Sequence, residues 1–423
     1  MKAKHYKLPS GLNIILVAIP DSPTTTVEVL VEAGSKYESP KEAGLSHFLE
    51  HMCFKGTEKR PSALTVSRAF DEIGAHSNAF TSSEVTGYWA KASSKQLLQV
   101  LDIVSDIYLN AIFKKENVEK EKGVVIEEIN MYEDQPQAIV GEIFDMGMHG
   151  DQPAGLPIAG NKESVRSFTV KDLENYRKKH YVASATTIVV AGKFVEKEVL
   201  SQIKNLFAPI SRGKKQSKKK TVIKPTGPKV ISKKKSTDQL HLILGVRSFP
   251  YGDERNNALS ILRGVLSSGA SSRLFQKMRE ELGICYYVKA INMPSTDHGE
   301  FAVTSGVDPE RVEVAVEALI QELKKLKVDL VPQDELKKVQ TSMISGMYMH
   351  LETSESVADY FSSRWIFHKD LLPPEDKEKQ ILSVTAEDVR DVARLIFTDK
   401  NLLLAVVAKE VNEARFKKLL SFE

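Results

Sequence analysis

The sequence of 423 residues has only two cysteines, Cys53 and Cys285. This number excludes a disulfide framework and is typical of a protein in a reducing compartment. No apolar run reaches the roughly 18 residues that a membrane-spanning helix requires. The N-terminal stretch MKAKHYKLPSGLNIILV lacks the apolar segment and cleavage site of a signal peptide, so we interpret it as the start of the first strand. These absences predict a cytoplasmic protein with no membrane partner.

The chain also has little net charge, +3, and much of this excess lies in two lysine clusters, Lys214–Lys220 and Lys233–Lys235. No aromatic residues alternate with these lysines, as they would on a surface that stacks nucleic-acid bases. We therefore interpret the clusters as a solvated linker and predict no nucleic-acid partner. The hydrophobic content of 42% and charged content of 27% indicate an ordinary folded globular chain.

A chain of this length is too long for one hydrophobic core, so two domains are expected. The lysine-rich stretch 209–228 is predicted to link domain 1–208 to domain 229–423. Residues 168–193, FTVKDLENYRKKHYVASATTIVVAGK, align without a gap with residues 384–409, VTAEDVRDVARLIFTDKNLLLAVVAK, at an offset of 216 positions. Each segment opens with a Thr-x-x-Asp helix cap and continues into a β-branched strand pattern. The repeat predicts an internal duplication.

Both halves mix strand and helix patterns. Hairpin-like strand neighbours and grouped helices favour an α+β fold over a strict alternation of strands and helices. The strand candidates are Thr25–Val31, Gly87–Ala92, Leu240–Val246 and Phe301–Ser305. The helix candidates are Ser62–Ile73, Lys95–Ile112, Val118–Tyr132 and Pro309–Leu326.

The stretch GLSHFLEHMCFKGT holds the pattern H-x-x-E-H at His47, Glu50 and His51. Residues three and four apart share one face of a helix, so all three side chains project to one side. Two imidazoles at this spacing can bind one metal ion, for which zinc is the natural choice, and a neighbouring carboxylate can take a proton from the water on that ion.

A catalytic zinc needs a third protein ligand. The segment EKEKGVVIEEINMYED, residues 119–134, offers glutamates, of which Glu121 and Glu128 are seven apart on one helical face. Glu127 adjoins Glu128, so only one of these two can face the histidines squarely.

With these residues the chain resembles the pitrilysin-like inverzincin peptidases, which include mitochondrial processing peptidase and insulin-degrading enzyme. The resemblance covers nearly the whole chain. In that family a glutamate at about this distance completes the zinc site, and Glu128 follows His51 by 77 residues. The resemblance therefore implies one zinc ion per chain on His47, His51 and Glu128. Glu121 matches a supporting glutamate, and Glu50 would be the general base on the zinc-bound water.

Two further motifs resemble substrate-binding parts of the family. Asn78, Ala79, Phe80 and Thr81 match a strand that pairs with an extended substrate backbone. Arg279 and Tyr286, seven residues apart, match an arginine–tyrosine pair that contacts the scissile carbonyl, where a cation and a phenol would stabilise the oxyanion.

The resemblance implies two homologous halves that enclose a chamber. The implied activity is that of a zinc metalloendopeptidase acting on peptides or unfolded polypeptides. We expect a homodimer, with a heterodimer as the other possibility. One alternative is a non-catalytic peptide-binding or partner subunit of the same fold, and another is a zinc hydrolase with a non-peptide substrate. The scattered histidines, His149 and His298 among them, are assigned to no metal.

Overall fold

The computed structural model describes residues 1–225 and 227–423, so Thr226 in the predicted linker lies outside the described residues. The strands are β1 Lys4–Lys7, β2 Asn13–Ala18, β3 Thr24–Val31, β4 His76–Thr81, β5 Thr86–Ser93, β6 Thr186–Gly192, β7 Lys229–Lys234, β8 Leu240–Ser248, β9 Cys285–Pro294, β10 Gly299–Val307 and β11 Leu403–Ala408. The first eight α-helices are α1 Leu45–Cys53, α2 Ala63–Glu72, α3 Leu97–Asn110, α4 Lys115–Asp134, α5 Pro136–His149, α6 Lys162–Ser167, α7 Val170–His180 and α8 Glu196–Leu206. The others are α9 Asn256–Ser267, α10 Val312–Val328, α11 Gln333–His350, α12 Ser354–Ser363, α13 Pro374–Leu382, α14 Ala386–Ile396 and α15 Glu413–Lys417.

The predicted elements form. Each of the eight strand and helix candidates corresponds to an observed element whose ends differ from the prediction by three residues or fewer. Thr169 and Thr385 accept hydrogen bonds from the backbone N–H groups of Asp172 and Asp388, so both predicted helix caps are present. Among residues 1–225 and 227–423, every helix falls short of the length or apolarity that a bilayer-spanning segment requires.

The two sheets repeat one topology, which confirms the α+β class with two related halves. The first sheet has the strand order β1-β2-β6-β3-β5-β4 and the second β7-β11-β8-β10-β9. In the first sheet, β6 lies between β2, to which it is parallel, and β3, to which it is antiparallel. In the second sheet, β11 lies in the same way between β7, to which it is parallel, and β8, to which it is antiparallel. Helix α14 starts and ends 216 positions after α7, as the repeat predicts.

The chain folds into two compact units that are not continuous in sequence. Unit 1 contains Met1–Asn130, Leu156–Lys219 and Met349–Pro373. Unit 2 contains Met131–Gly155, Lys220–Tyr348 and Pro374–Glu423. Each unit thus includes a segment from the other half of the sequence. The division into domains 1–208 and 229–423 does not anticipate these two exchanged segments.

In unit 2 the exchanged helix α5 covers one apolar face of the sheet. Side chains alternate along β8, so Leu242 and Leu244 join the large core on one face while Ile243 packs with α5 on the other. Gly245 lies under Phe144 of α5, and a Cβ atom at this position would be 2.5 Å from the phenyl ring. The glycine therefore permits the close approach of helix and sheet.

In unit 1 the exchanged helix α12 packs on β3 and β6 through polar groups. The hydroxyl groups of Thr26 and Ser354 are 2.9 Å apart. Glu28 of β3 is fully buried and interacts electrostatically with Asp359 of α12. Burial, together with the charge of Asp359, raises the pKa of Glu28 well above its ordinary value. Its environment therefore favours the neutral form of the carboxyl.

This buried carboxyl makes the stability of unit 1 depend on pH. A carboxyl with a raised folded-state pKa contributes fully below its unfolded value, 4.5, and the contribution is lost as the pH rises through the folded-state pKa. We expect Glu28→Gln to raise the melting temperature at pH 8 by on the order of a few degrees and to have little effect at pH 4. Thermal scans at both pH values, with the exposed Glu72→Gln as control, measure this. An equal effect at both values would contradict it.

The interpretation of the lysine clusters as solvated is wrong for several of these side chains. Lys215 forms an ion pair with Glu32 at 2.5 Å, and Lys218 forms one with Glu84 at 2.7 Å. Glu84 also binds the buried Lys36 at 3.0 Å. Lysine-rich composition does not reveal that carboxylates of the folded unit meet these side chains. The described part of stretch 211–228 forms no helix or strand, whereas Lys233 belongs to β7.

Candidate metal centre

Helix α1 separates an apolar face from a polar face. Phe48, Leu49 and Met52 are fully buried in the core of unit 1, which leaves His47, Glu50 and His51 on the other side. The helix begins after Gly44, whose φ of 89° is in the left-handed region. A Cβ atom there would be 2.4 Å from the carbonyl oxygen of Ala159, so the backbone at this start requires glycine.

Helix α4 supplies the glutamates, and its register distinguishes Glu127 from Glu128. Val118, Glu121 and Val125 are buried on one face of the helix. Glu128 lies on the same face, one turn further on, and is half-buried. Glu127 is exposed. Glu128 is therefore the glutamate that joins the histidines.

His47, His51 and Glu128 converge on one point. The Nε2 atoms of the two histidines are 3.3 Å apart. Oε2 of Glu128 lies 3.6 Å from Nε2 of His47 and 3.4 Å from Nε2 of His51. A zinc ion with four ligands at about 2.0–2.1 Å separates neighbouring ligand atoms by about 3.3–3.4 Å. The three atoms thus form one face of a tetrahedron of the size that zinc requires, and the residues fit the metal.

Glu121 holds His51 in the orientation that this arrangement needs. Its Oε1 atom is 3.0 Å from Nδ1 of His51, and its Oε2 atom is 2.6 Å from the ammonium group of Lys55. A proton on Nδ1 leaves the lone pair of Nε2 free for a metal. The hydrogen bonds with His51 and Lys55 outweigh burial and lower the pKa of Glu121, so it stays ionised.

The two histidines have opposite pKa shifts in the absence of metal. Burial, assisted by the neighbouring His51, lowers the pKa of His47 to about 4. For His51, burial acts in the same direction, but hydrogen bonds to Glu121 and Glu128 and the charge of Glu50 raise its pKa to about 9. The carboxylates around His51 therefore attract a positive charge, which is a proton when no metal is bound.

We expect Glu121→Gln to weaken zinc binding by about 10–100-fold, because removing a partner of a ligating histidine typically has this effect. Competition with a chromophoric chelator measures the dissociation constant. Glu119→Gln on the exposed side of α4 is the matched control and should bind zinc as the wild type does. Unchanged affinity in Glu121→Gln would show that Glu121 does not support His51.

Glu50 lies next to the cluster and is tied to strand β4. The hydroxyl of Thr81 donates a 2.8 Å hydrogen bond to Oε2 of Glu50. Burial raises the pKa of Glu50, while the Thr81 hydrogen bond and the charge of His51 oppose this shift. The carboxyl is therefore oriented and partly desolvated, as a general base requires.

Strand β4 carries Asn78, Ala79, Phe80 and Thr81 at the end of the first sheet. Within the described residues β4 pairs only with β5, so one of its edges has backbone groups without a strand partner. Phe80 is 37% exposed and Asn78 is also exposed, whereas Ala79 packs against the core. An extended peptide can add to such an edge.

Arg279 and Tyr286 meet in unit 2. Arg279 lies in a π-helical segment, Phe275–Glu281, and Tyr286 is in β9, which ends the second sheet. The guanidinium carbon of Arg279 is 5.7 Å from the ring centroid of Tyr286. Tyr286 is 73% exposed. The structure thus pairs the two side chains at a surface, and their role toward a substrate stays a prediction.

Two further residues contact the site but lie outside the H-x-x-E-H motif, so the motif does not predict their contacts. Lys55 lies four residues after His51 and would have been found by extending the helical face one turn. Thr81 belongs to the predicted substrate strand, but its hydrogen bond to Glu50 depends on how β4 packs beside α1.

Two segments of the chain match models of known protein families. Residues 13–162 match the family described as insulinase (peptidase family M16), and residues 167–343 match the one described as the peptidase M16 inactive domain. The second description fits a second half without an H-x-x-E-H pattern.

Relatives align over almost the full chain. An uncharacterized zinc protease of Bacillus subtilis is 32% identical over 412 residues, 97% of this chain and 99% of its own. An uncharacterized zinc protease of Rickettsia felis is 32% identical over 397 residues, 93% of this chain and 94% of its own.

Solved structures share the fold. A protease from Helicobacter pylori superposes with a TM-score of 0.89 at 23% identity, covering 96% of this chain and 99% of its own. A peptidase M16 inactive domain from Pseudomonas fluorescens gives 0.90 at 15% identity, covering 98% of this chain and 100% of its own.

Proposed function

Because the chain belongs to the insulinase family of peptidases, peptidase family M16, we propose that it is a zinc-dependent endopeptidase that hydrolyses peptides or unfolded polypeptides. One observation carries the proposal above the others. His47, His51 and Glu128 place three ligand atoms 3.3–3.6 Å apart, and Glu50 lies on the same helix as the two histidines. A subunit without catalytic activity would have no need of this arrangement.

The residues have separate roles in the proposed reaction. His47, His51 and Glu128 would hold one zinc ion, which when bound supplies a Lewis acid and lowers the pKa of water. Glu50 accepts the proton of the attacking water and delivers it to the leaving nitrogen. Thr81 fixes the Glu50 carboxyl through its hydrogen bond. Glu121 keeps His51 in the tautomer and orientation of a ligand.

Substrate selection would follow from the free edge of β4. Backbone hydrogen bonds along Asn78–Thr81 would bind a substrate in extended conformation, with little dependence on its side chains. A segment inside a folded protein is not available as an added strand. Short peptides and unfolded chains are therefore the proposed substrates. The same requirement for an extended backbone disfavours a hydrolase for non-peptide substrates.

Arg279 and Tyr286 would stabilise the oxyanion that forms at the scissile carbonyl. Their ring–cation contact leaves the Tyr286 side chain largely exposed and able to meet a ligand. If Arg279→Ala and Tyr286→Phe both kept full kcat/KM on peptides, this role would be wrong.

Cleavage of a quenched fluorescent peptide library by the purified chain tests the proposal. We expect cleavage that a chelator abolishes and added zinc restores, and faster cleavage of an unfolded protein than of its folded form. A zinc-loaded chain that cleaves no member of the library would support the non-catalytic alternative. Sedimentation in the same buffer tests the predicted homodimer, since a heterodimer partner would be missing from this sample.

A further inference from the structure

A second group of metal-ligating side chains lies in unit 2. His149, His298 and Glu300 each offer one ligand atom, and these atoms lie within 4.8 Å of one another. The residues are only 7%, 5% and 5% exposed. His149 ends α5, His298 lies in the turn before β10, and Glu300 is the second residue of β10. The fold thus brings His149 to His298 and Glu300, which lie about 150 positions further along the sequence.

Both imidazoles direct Nε2 toward the same carboxylate oxygen. Nε2 of His149 is 2.8 Å from Oε1 of Glu300, and Nε2 of His298 is 3.7 Å from it. The two ring centroids are 4.5 Å apart. The three side chains therefore surround one common position.

Asp297 determines which nitrogen of His298 can act as a ligand. Nδ1 of His298 is 2.8 Å from Oδ1 of Asp297, and Oδ2 of Asp297 accepts a 2.8 Å hydrogen bond from the backbone N–H of Thr221. A proton on Nδ1 that is donated to Asp297 leaves a lone pair on Nε2. A carboxylate, a histidine and a metal in this order form a common arrangement in zinc sites.

The hydrogen bonding of the cluster is incomplete without a ligand. Within the described part of the chain, Oε1 of Glu300 is buried and forms no hydrogen bond of acceptable geometry. Oε1 is the atom that both imidazoles face. Burying such an atom without a partner is costly, so these groups are usually satisfied by protein, water or an ion.

The charges around the cluster also favour a cation. Glu300 interacts electrostatically with Asp145 and with Arg247, its direct neighbour on β8. Glu300 and Asp297, the two carboxylates that contact the imidazoles, exceed the one guanidinium group in formal charge by one, which favours a cation at the cluster. Arg247 donates to the carbonyl oxygens of Met148 and Lys224 through Nη2, so these bonds do not use the position between the imidazoles.

We propose that His149, His298 and Glu300 bind a second zinc ion, which holds helix α5 to strand β10. Two imidazoles with carboxylates suit zinc better than magnesium or calcium, which prefer oxygen ligands alone. Zinc would widen the 2.8 Å contact between His149 and Glu300 to a ligand–ligand distance of about 3.3 Å. The complete burial predicts a structural site without an open position for substrate.

Metal counting on full-length variants tests the proposal independently of peptidase activity. The variant His51→Ala/Glu128→Gln removes two ligands of the first centre, so any zinc that it retains belongs elsewhere. Zinc per chain is measured by mass spectrometry after dialysis against metal-free buffer. We expect two ions in the wild type, one in this double variant and none when His298→Ala is added. His241→Ala, which alters another buried histidine of the same sheet, should leave the count unchanged.

A thermal scan adds a structural readout. Chelation should lower the melting temperature of the His51→Ala/Glu128→Gln variant, and zinc should restore it. A wild type with one zinc and a double variant with none would overturn the proposal and leave the cluster as a buried ion pair. If addition of His298→Ala prevents folding, the double variant alone decides by its one ion or none. If the wild type binds two zinc ions per chain and the His298→Ala variant still binds two, the assignment of the second ion to this cluster would also be wrong.

Discussion

Replacing Glu50 with Gln is expected to lower kcat on a fluorescent peptide by about 10²–10⁴-fold, the usual contribution of a general base. Glutamine keeps the size of the side chain and can still accept the Thr81 hydrogen bond, but it cannot take a proton from water. The loss should therefore appear in kcat with little change in KM. Zinc content should stay at the wild-type level, since Glu50 is not among the three converging ligands.

The control for this variant is Glu58→Gln, which makes the same change at an exposed carboxyl shortly after α1. The pH profile gives a second readout. Glu50 must be ionised to act, so activity should fall as the pH falls through its pKa, which burial raises. The residual activity of Glu50→Gln should lack this limb. A variant that retains more than a tenth of the wild-type kcat would remove Glu50 from the proposed mechanism.

The pair Glu128→Gln and Glu127→Gln should give opposite results for metal binding. Glu128 lies 3.4–3.6 Å from both histidine Nε2 atoms, whereas its neighbour Glu127 is exposed. We expect Glu128→Gln to weaken zinc binding by more than the roughly 100-fold that loss of a supporting residue can cause, and activity should be lost with the metal. Zinc titration and peptide cleavage on the same samples measure both effects.

Glu127→Gln serves as the matched control, because it makes the same change of charge at the adjacent position. It should retain zinc and activity. The result would be inverted if α4 were rotated by one residue, since Glu127 would then face the histidines. Circular dichroism of both variants at the assay temperature excludes unfolding as the cause of a loss.

Local patterns in the sequence predicted much of this architecture. The ungapped repeat placed α7 and α14 in identical register, because helix caps and apolar periodicity are local properties. The H-x-x-E-H spacing put His47, Glu50 and His51 on one helical face for the same reason. The choice of Glu128 needed the family resemblance, and the burial pattern of α4 agrees with it.

Features that depend on distant parts of the chain were not predicted. Helix α5 belongs to the sheet of the second half and α12 to that of the first, which no local pattern reveals. Lys218 forms an ion pair with Glu84, 134 positions away in the sequence. The lysine-rich sequence around Lys218 therefore led to the wrong prediction that its side chain is solvated. His149 and His298 are 149 positions apart, so no local pattern indicates that their rings come within 4.5 Å of each other.

The exchange of α5 and α12 has a consequence for how the chain can be divided. A cut within residues 209–228 would not produce two self-sufficient fragments, because each would carry a helix that belongs to the other's sheet. A nicked molecule should therefore stay associated under native conditions and come apart only on denaturation. The C-terminal fragment made alone would expose the apolar face that Phe144 and Met148 cover, and should aggregate. Co-expression of both fragments should restore a soluble complex. The covalent link between the halves is then dispensable, whereas the packing of each exchanged helix on the sheet of the other half is required.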